Sequence, residues 1–136
     1  MVIKFLFSTV ITLLLLMTSA NAKYCTEKDD VLGRGVDTLD NLYEFGLKIQ
    51  KAVKDKDLEA IKAMVKRPLI NKKFRISYFE NKKFDEVFTE KDRYYILKEK
   101  VDCASVGSQG FMLGNGKVWY DNIGGLTIIS FNLGSK

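Results

Sequence analysis

The sequence predicts an α+β domain in which helices pack on one face of a curved antiparallel sheet, in the order helix, helix, strand, helix, strand, strand, strand. Three observations predict it. Residues 37–65 carry two apolar patterns of helical period. Residues 110–132, "GFMLGNGKVWYDNIGGLTIISFN", hold three apolar, aromatic and β-branched runs separated by Asn-Gly and Gly-Gly, which are hairpin signals. Strands therefore gather late with helices before them, the arrangement of an α+β domain.

The first 22 residues stand outside this plan. Lys4 supplies a positive start, "FLFSTVITLLLLM" an apolar stretch, and Ala20 and Ala22 the small residues of a cleavage site. That is the pattern of a secretory signal removed after Ala22. The apolar run is short for roughly 30 Å of hydrocarbon, and Tyr24 precedes Cys25 where lipid attachment wants a small residue. The expectation is a periplasmic or secreted protein with no stable membrane anchor. Residues 23–136 then form one domain with one core. Two cysteines in an exported chain of this size predict a single disulfide, Cys25–Cys103.

The first helix is expected over residues 37–54, because Leu39, Leu42, Tyr43, Gly46, Ile49 and Val53 share one face, with Asp37 as its cap. "KDKD" interrupts the pattern, and Asp57 caps a shorter helix carrying Leu58, Ile61, Met64 and Val65 inward. Pro68 ends that segment. "FRISYF", residues 74–79, reads as a strand by its β-branched and aromatic content. "FDEVFTEKDRYYILKEKV" reads as a helix in one or two pieces, with Thr89 and Asp92 as a capping pair and Tyr94, Leu97 and Val101 on one face.

The glycines of the last stretch raise a choice between a phosphate-cradling loop and chain reversals. A phosphate loop needs a strand running into a helix N-terminus with a set glycine spacing. Here "KVWY" follows Gly116, and that is a strand. The glycines are turns of a three-strand meander, its register held by Phe111, Trp119, Tyr120 and Phe131.

Composition limits the chemistry. The chain contains no histidine, which removes the commonest general acid–base group and every nucleophilic arrangement that relies on one. Two cysteines without histidine do not build a four-ligand zinc centre, so no metal or cofactor is expected. The net charge is +5, and the excess is local: residues 62–83 hold eight basic side chains against Glu80 alone. Such a segment suits an acidic protein surface, anionic lipid or a solvated exterior; nucleic acid is not expected for an exported chain.

The order of elements, with "LKIQKAVKDKDLEAIKAMVKRPLI", "FDEVF" and "GSQGFMLGNGKVWYDN" leading into "LTIISFN", resembles small exported bacterial members of the nuclear transport factor 2-like superfamily, also described as cystatin-like. The resemblance covers about residues 39–132 and implies a cone-shaped fold. Some enzymes of that fold, isomerases and dehydratases, place a carboxylate and often a histidine or tyrosine inside the cone. The positions here that such an alternative would use are Asp121, Glu80 and Asp85 with Tyr78 or Tyr120. The superfamily also includes ligand carriers and binding modules, so it transfers no function by itself. The expectation is an exported, non-catalytic binding domain for a protein partner, as an inhibitor or immunity protein would be, or for a small apolar ligand. The candidate contacts are Tyr78, Trp119, Tyr120, Lys66, Lys72 and Arg75. An open interior favours a ligand; an interior filled by side chains, with an exposed aromatic or basic patch, favours a partner.

Overall fold

The computed structural model describes residues 39–66, 68–70 and 76–134. The leader, Cys25, the Asp37 cap, Lys72 and Arg75 lie outside the described residues. Helices α1 (Leu39–Lys54), α2 (Leu58–Ala63), α3 (Ile76–Phe79), α4 (Phe84–Val87) and α5 (Glu90–Lys98) precede strands β1 (Phe111–Leu113), β2 (Val118–Asn122) and β3 (Leu126–Phe131). The strands form an antiparallel sheet in the order β1-β2-β3. The α+β class holds. Among the described residues, no helix is long and apolar enough to cross a membrane.

α1 buries the face its spacing marks: Leu42, Ile49 and Val53 are all but inaccessible, and Phe45 joins them. Gly46 is the close-approach point of that face. A Cβ there would stand 2.5 Å from a Val101 methyl and 3.1 Å from the Tyr120 hydroxyl. Arg93 of α5 donates to the carbonyls of Val53 and Lys54, and Gln50 donates to those of Ile96 and Glu99. These bonds satisfy carbonyls that helix ends leave open and fasten α1 to α5. Asp57 caps α2 by accepting from the Ala60 N–H at 3.0 Å, as its position predicts.

Two expectations are corrected. Residues 76–79 form the helical turn α3, not a strand. The outer edge of β3 is bonded instead to Met64, Lys66 and Ile70. Ile128 donates to the Met64 carbonyl, the Lys66 N–H to Thr127 Oγ1, and Ile70 to the Ile129 carbonyl, at 2.8–3.0 Å. With that edge filled, the pull on the segment is the burial of Phe79, whose ring meets Phe131 edge-on at 5.4 Å; propensity yields to packing. The second correction concerns the face of α5. Tyr94 is exposed, Val101 lies beyond the helix end, and the inward residues are Asp92 and Ile96.

Asp92 is fully buried, and its partners come from both its own helix start and distant parts of the chain. Its Oδ2 accepts from the N–H groups of Thr89 and Gly134, each at 3.0 Å. Its Oδ1 lies 3.0 Å from the Nζ of Lys117, itself only 7% exposed. Thr89 Oγ1 accepts from the Asp92 N–H in return, completing a capping box. Burial alone would raise this carboxyl, but the Thr89 N–H, the Lys117 ammonium and the Gly134 N–H outweigh it and hold the group below the ordinary aspartate range.

Candidate binding face

The sheet has two unlike faces because side chains alternate along a strand. Phe111 pairs with Tyr120 and Val118 with Phe131; all four are fully buried. Tyr120 packs between Phe45 and Phe111 at ring distances of 5.6 and 5.8 Å, and Phe131 meets Phe79 and Phe88. The inner face is thus lined by buried side chains packed against those of the helices.

Trp119 pairs with Met112 on one side and Ser130 on the other, and these are half-buried on the opposite face. The pairing then skips a residue: Tyr120 opposes Ile128, so Ile129 is the extra residue of a bulge. The turn that precedes Trp119 runs through Gly114, Asn115 and Gly116 with φ of 67°, 54° and 82°, a left-handed run suited to glycine and asparagine. Gly114 is doubly fixed, since a Cβ there would stand 3.0 Å from the Ile96 backbone. The turn delivers the Gly116 carbonyl to two donors, Trp119 Nε1 at 2.9 Å and Asn132 Nδ2 at 3.0 Å. The indole is therefore held in place by the protein itself.

Around that indole lies an open groove of about 310 Å³, walled by Ile70, Trp119 and Ile129 and edged by Gln109, Ser130 and Asn132. Ile129 is buried, whereas Ile70 is 69% exposed although its N–H is tied to the Ile129 carbonyl at 2.8 Å. None of the six side chains is charged.

The expected contact residues separate on this structure. Trp119 is on the outer face and accessible. Tyr120, its neighbour in sequence, points into the core and cannot be part of the same contact surface; one step along a strand reverses the face. Tyr78 is half-buried on α3, edge-on to Phe79, with Lys82 Nζ 3.4 Å from its ring centroid. Lys66 is exposed, near the β2–β3 turn at Gly125. Lys72 and Arg75 lie outside the described residues. Cys103 is fully buried, and its expected partner Cys25 lies outside the described residues. Ile70 and Ile129 were missed by sequence reasoning; a single isoleucine in a loop and one inside a strand carry no pattern that would unite them.

Two of the three candidate carboxylates are engaged elsewhere. Asp121 Oδ1 accepts from the Asn122 N–H at 2.8 Å, Asp85 pairs with Lys56 at 3.0 Å, and Glu80 is exposed. The Tyr120 hydroxyl has no hydrogen-bond partner among the described residues. Burial, with the charges of Asp102 and Glu99, pushes its phenol well above the usual value. An unpartnered buried hydroxyl costs about 1–3 kcal/mol. Tyr120→Phe is accordingly expected to stabilise the protein by about 1 kcal/mol, read as a higher urea midpoint with an unchanged slope; a lower midpoint would show that the hydroxyl has a stabilising role. Among the described residues there is no group of three or more cysteine, aspartate or glutamate side chains able to hold a metal ion.

Comparison of the chain with protein-family models, with curated proteins and with solved structures returns no match.

Proposed function

We propose that the protein is an exported, non-catalytic binding domain that engages a protein partner through the outer face of its sheet. The observation that carries this reading is the division of the sheet. The inner face is spent on Phe111, Val118, Tyr120 and Phe131, whereas the outer face presents a pinned, half-exposed tryptophan in an uncharged groove. Tryptophan in such a setting supplies a large rigid contact area and is enriched among the residues that dominate binding energy. An isomerase-like alternative would use a carboxylate beside a tyrosine facing open space, and Tyr120 is enclosed. The cone-shaped fold, the cleavage after Ala22 and the Cys25–Cys103 bridge belong to the same proposal, and inhibition of a hydrolase in the same compartment is one form that partner binding would take.

Purification of the untagged protein from its native compartment, followed by native mass spectrometry, tests the reading. The expected species begins at Lys23, is lighter by two hydrogens than the reduced chain, and carries a second protein in fixed ratio. A stoichiometric small molecule in place of a protein, or substrate turnover abolished by Asp121→Asn, would overturn it. A retained Met1 or two titratable thiols would overturn the export and bridge components separately.

A further inference from the structure

We infer that Asn115 is a modification site: it loses its side-chain amide through a cyclic imide formed with Gly116, and the rearranged turn lets go of Trp119. The inference goes beyond partner binding and holds whatever the groove seats. Asn115 is the one asparagine of the chain followed by glycine. It stands exposed in the turn between β1 and β2, in the left-handed conformation with φ of 54°, and Gly116 follows at 82°. Glycine offers its N–H with no side chain to shield it, and lets the backbone swing through conformations closed to other residues.

The chemistry needs only water. The Gly116 nitrogen attacks Cγ of Asn115. The new C–N bond closes the imide ring, and the side-chain nitrogen leaves as ammonia, taking up the proton of the Gly116 amide. Water then opens the ring. Opening at Cγ gives aspartate in an unchanged main chain. Opening at the Asn115 main-chain carbonyl gives isoaspartate, in which the chain runs through Cβ and Cγ and is one carbon longer. Nothing is oxidised or reduced. Because the attacking nitrogen must lose its proton, the rate rises with pH.

The turn cannot take up that carbon at its ends. Gly114 lies against the Ile96 backbone with no room for a Cβ, and its carbonyl accepts the Lys117 N–H at 3.2 Å. Lys117 is held by its ion pair with buried Asp92 at 3.0 Å, and its carbonyl accepts from the Asn132 N–H at 2.9 Å. The added length therefore falls on Gly116. Its carbonyl is the acceptor for both Trp119 Nε1 and Asn132 Nδ2, and the indole lies over it, 3.6 Å from where a Cβ on Gly116 would stand. Displacing Gly116 breaks both bonds. Charge acts in the same direction. Glu99 Oε2 accepts the Asn115 N–H at 2.8 Å, and either product puts a second carboxylate on residue 115, near the first. Like charges so placed repel.

The test incubates the full exported protein, folded, at mildly acidic and mildly alkaline pH. Three readouts are followed: peptide mass spectrometry with fragmentation that separates isoaspartate from aspartate, emission and acrylamide quenching of the sole tryptophan, and urea unfolding. The expected result is conversion of Asn115 about tenfold ahead of any other asparagine, since it alone precedes a glycine, faster at the alkaline pH and with isoaspartate among the products. In step with it the emission moves to longer wavelength and quenching rises at least twofold, while the urea transition stays cooperative. Asn115→Gly, which accepts the same left-handed backbone, should show none of these changes over the same time. Retention of the Asn115 amide, faster loss at another asparagine, conversion to aspartate alone, or conversion with an unchanged tryptophan signal overturns the inference. So does a tryptophan change that the Asn115→Gly variant shares, or one that comes with loss of the urea transition, since that is unfolding and not the release of one side chain.

Discussion

Asp92→Asn is expected to destabilise the protein by about 3–5 kcal/mol, the usual cost of removing one member of a buried ion pair. The asparagine oxygen can still accept from Thr89 and Gly134, so the loss falls on Lys117, whose ammonium would remain 7% exposed with its countercharge gone. Urea unfolding measures the effect. Lys117→Met in the Asp92→Asn background should recover a large part of it, because an apolar side chain of similar length removes the stranded charge. If the double variant is no more stable than the single one, the Asp92–Lys117 pairing is not the source of the loss. The acid limb follows from the same carboxylate. Its folded value is depressed, so its contribution is complete above the unfolded value of roughly pH 4 and is lost as pH falls from there through the lower folded value. The Asn variant should lack that increment of acid sensitivity.

Phe131→Ala is expected to cost about 3–5 kcal/mol, as a fully enclosed aromatic removed from a packed core does. Phe131 meets Phe79 and Phe88 edge-on and lies opposite Val118. The informative comparison is Trp119→Ala. Trp119 is the larger residue, but it sits half-buried on the other face, so its removal should cost markedly less and leave a cooperative transition. Chemical denaturation of the two variants decides the matter. Equal losses would mean that Trp119 is a core residue and that the groove is a surface irregularity of the core.

What could be read from the sequence was local. The Asp57 cap, the Thr89–Asp92 box and the turns of the meander depend on residues within four positions of one another, and all three are present. What could not be read was decided at long range. "FRISYF" has strand composition, but Met64, Lys66 and Ile70 bond the outer edge of β3 and Phe79 is buried against Phe131, and nothing in those six letters records that. Asp92 is legible in the sequence only as a capping partner of Thr89, and nothing there ties it to Lys117; only the fold shows that they are buried together. The grouping of Trp119 with Tyr120 was avoidable. Consecutive strand residues face opposite ways, so a partner surface could contain one of them and never both. The groove itself had no signal, since Ile70 and Ile129 meet through a bulge whose position no hydrophobic pattern marks.

The grip of Asp92 on Gly134 has a consequence for the order of events when the chain is threaded out N-terminus first, from a ribosome or through a membrane. Gly134 follows Asp92 by 42 residues. Until that distance has emerged, the carboxylate lacks the Gly134 amide, and before Lys117 it has only Thr89. The helical half is therefore not a free-standing unit that folds while the rest is still inside. Closure waits on contacts distant in sequence, which slows collapse and keeps the partly emerged chain extended. The described fold therefore locks only when β3 and the Gly134 amide that follows it have arrived.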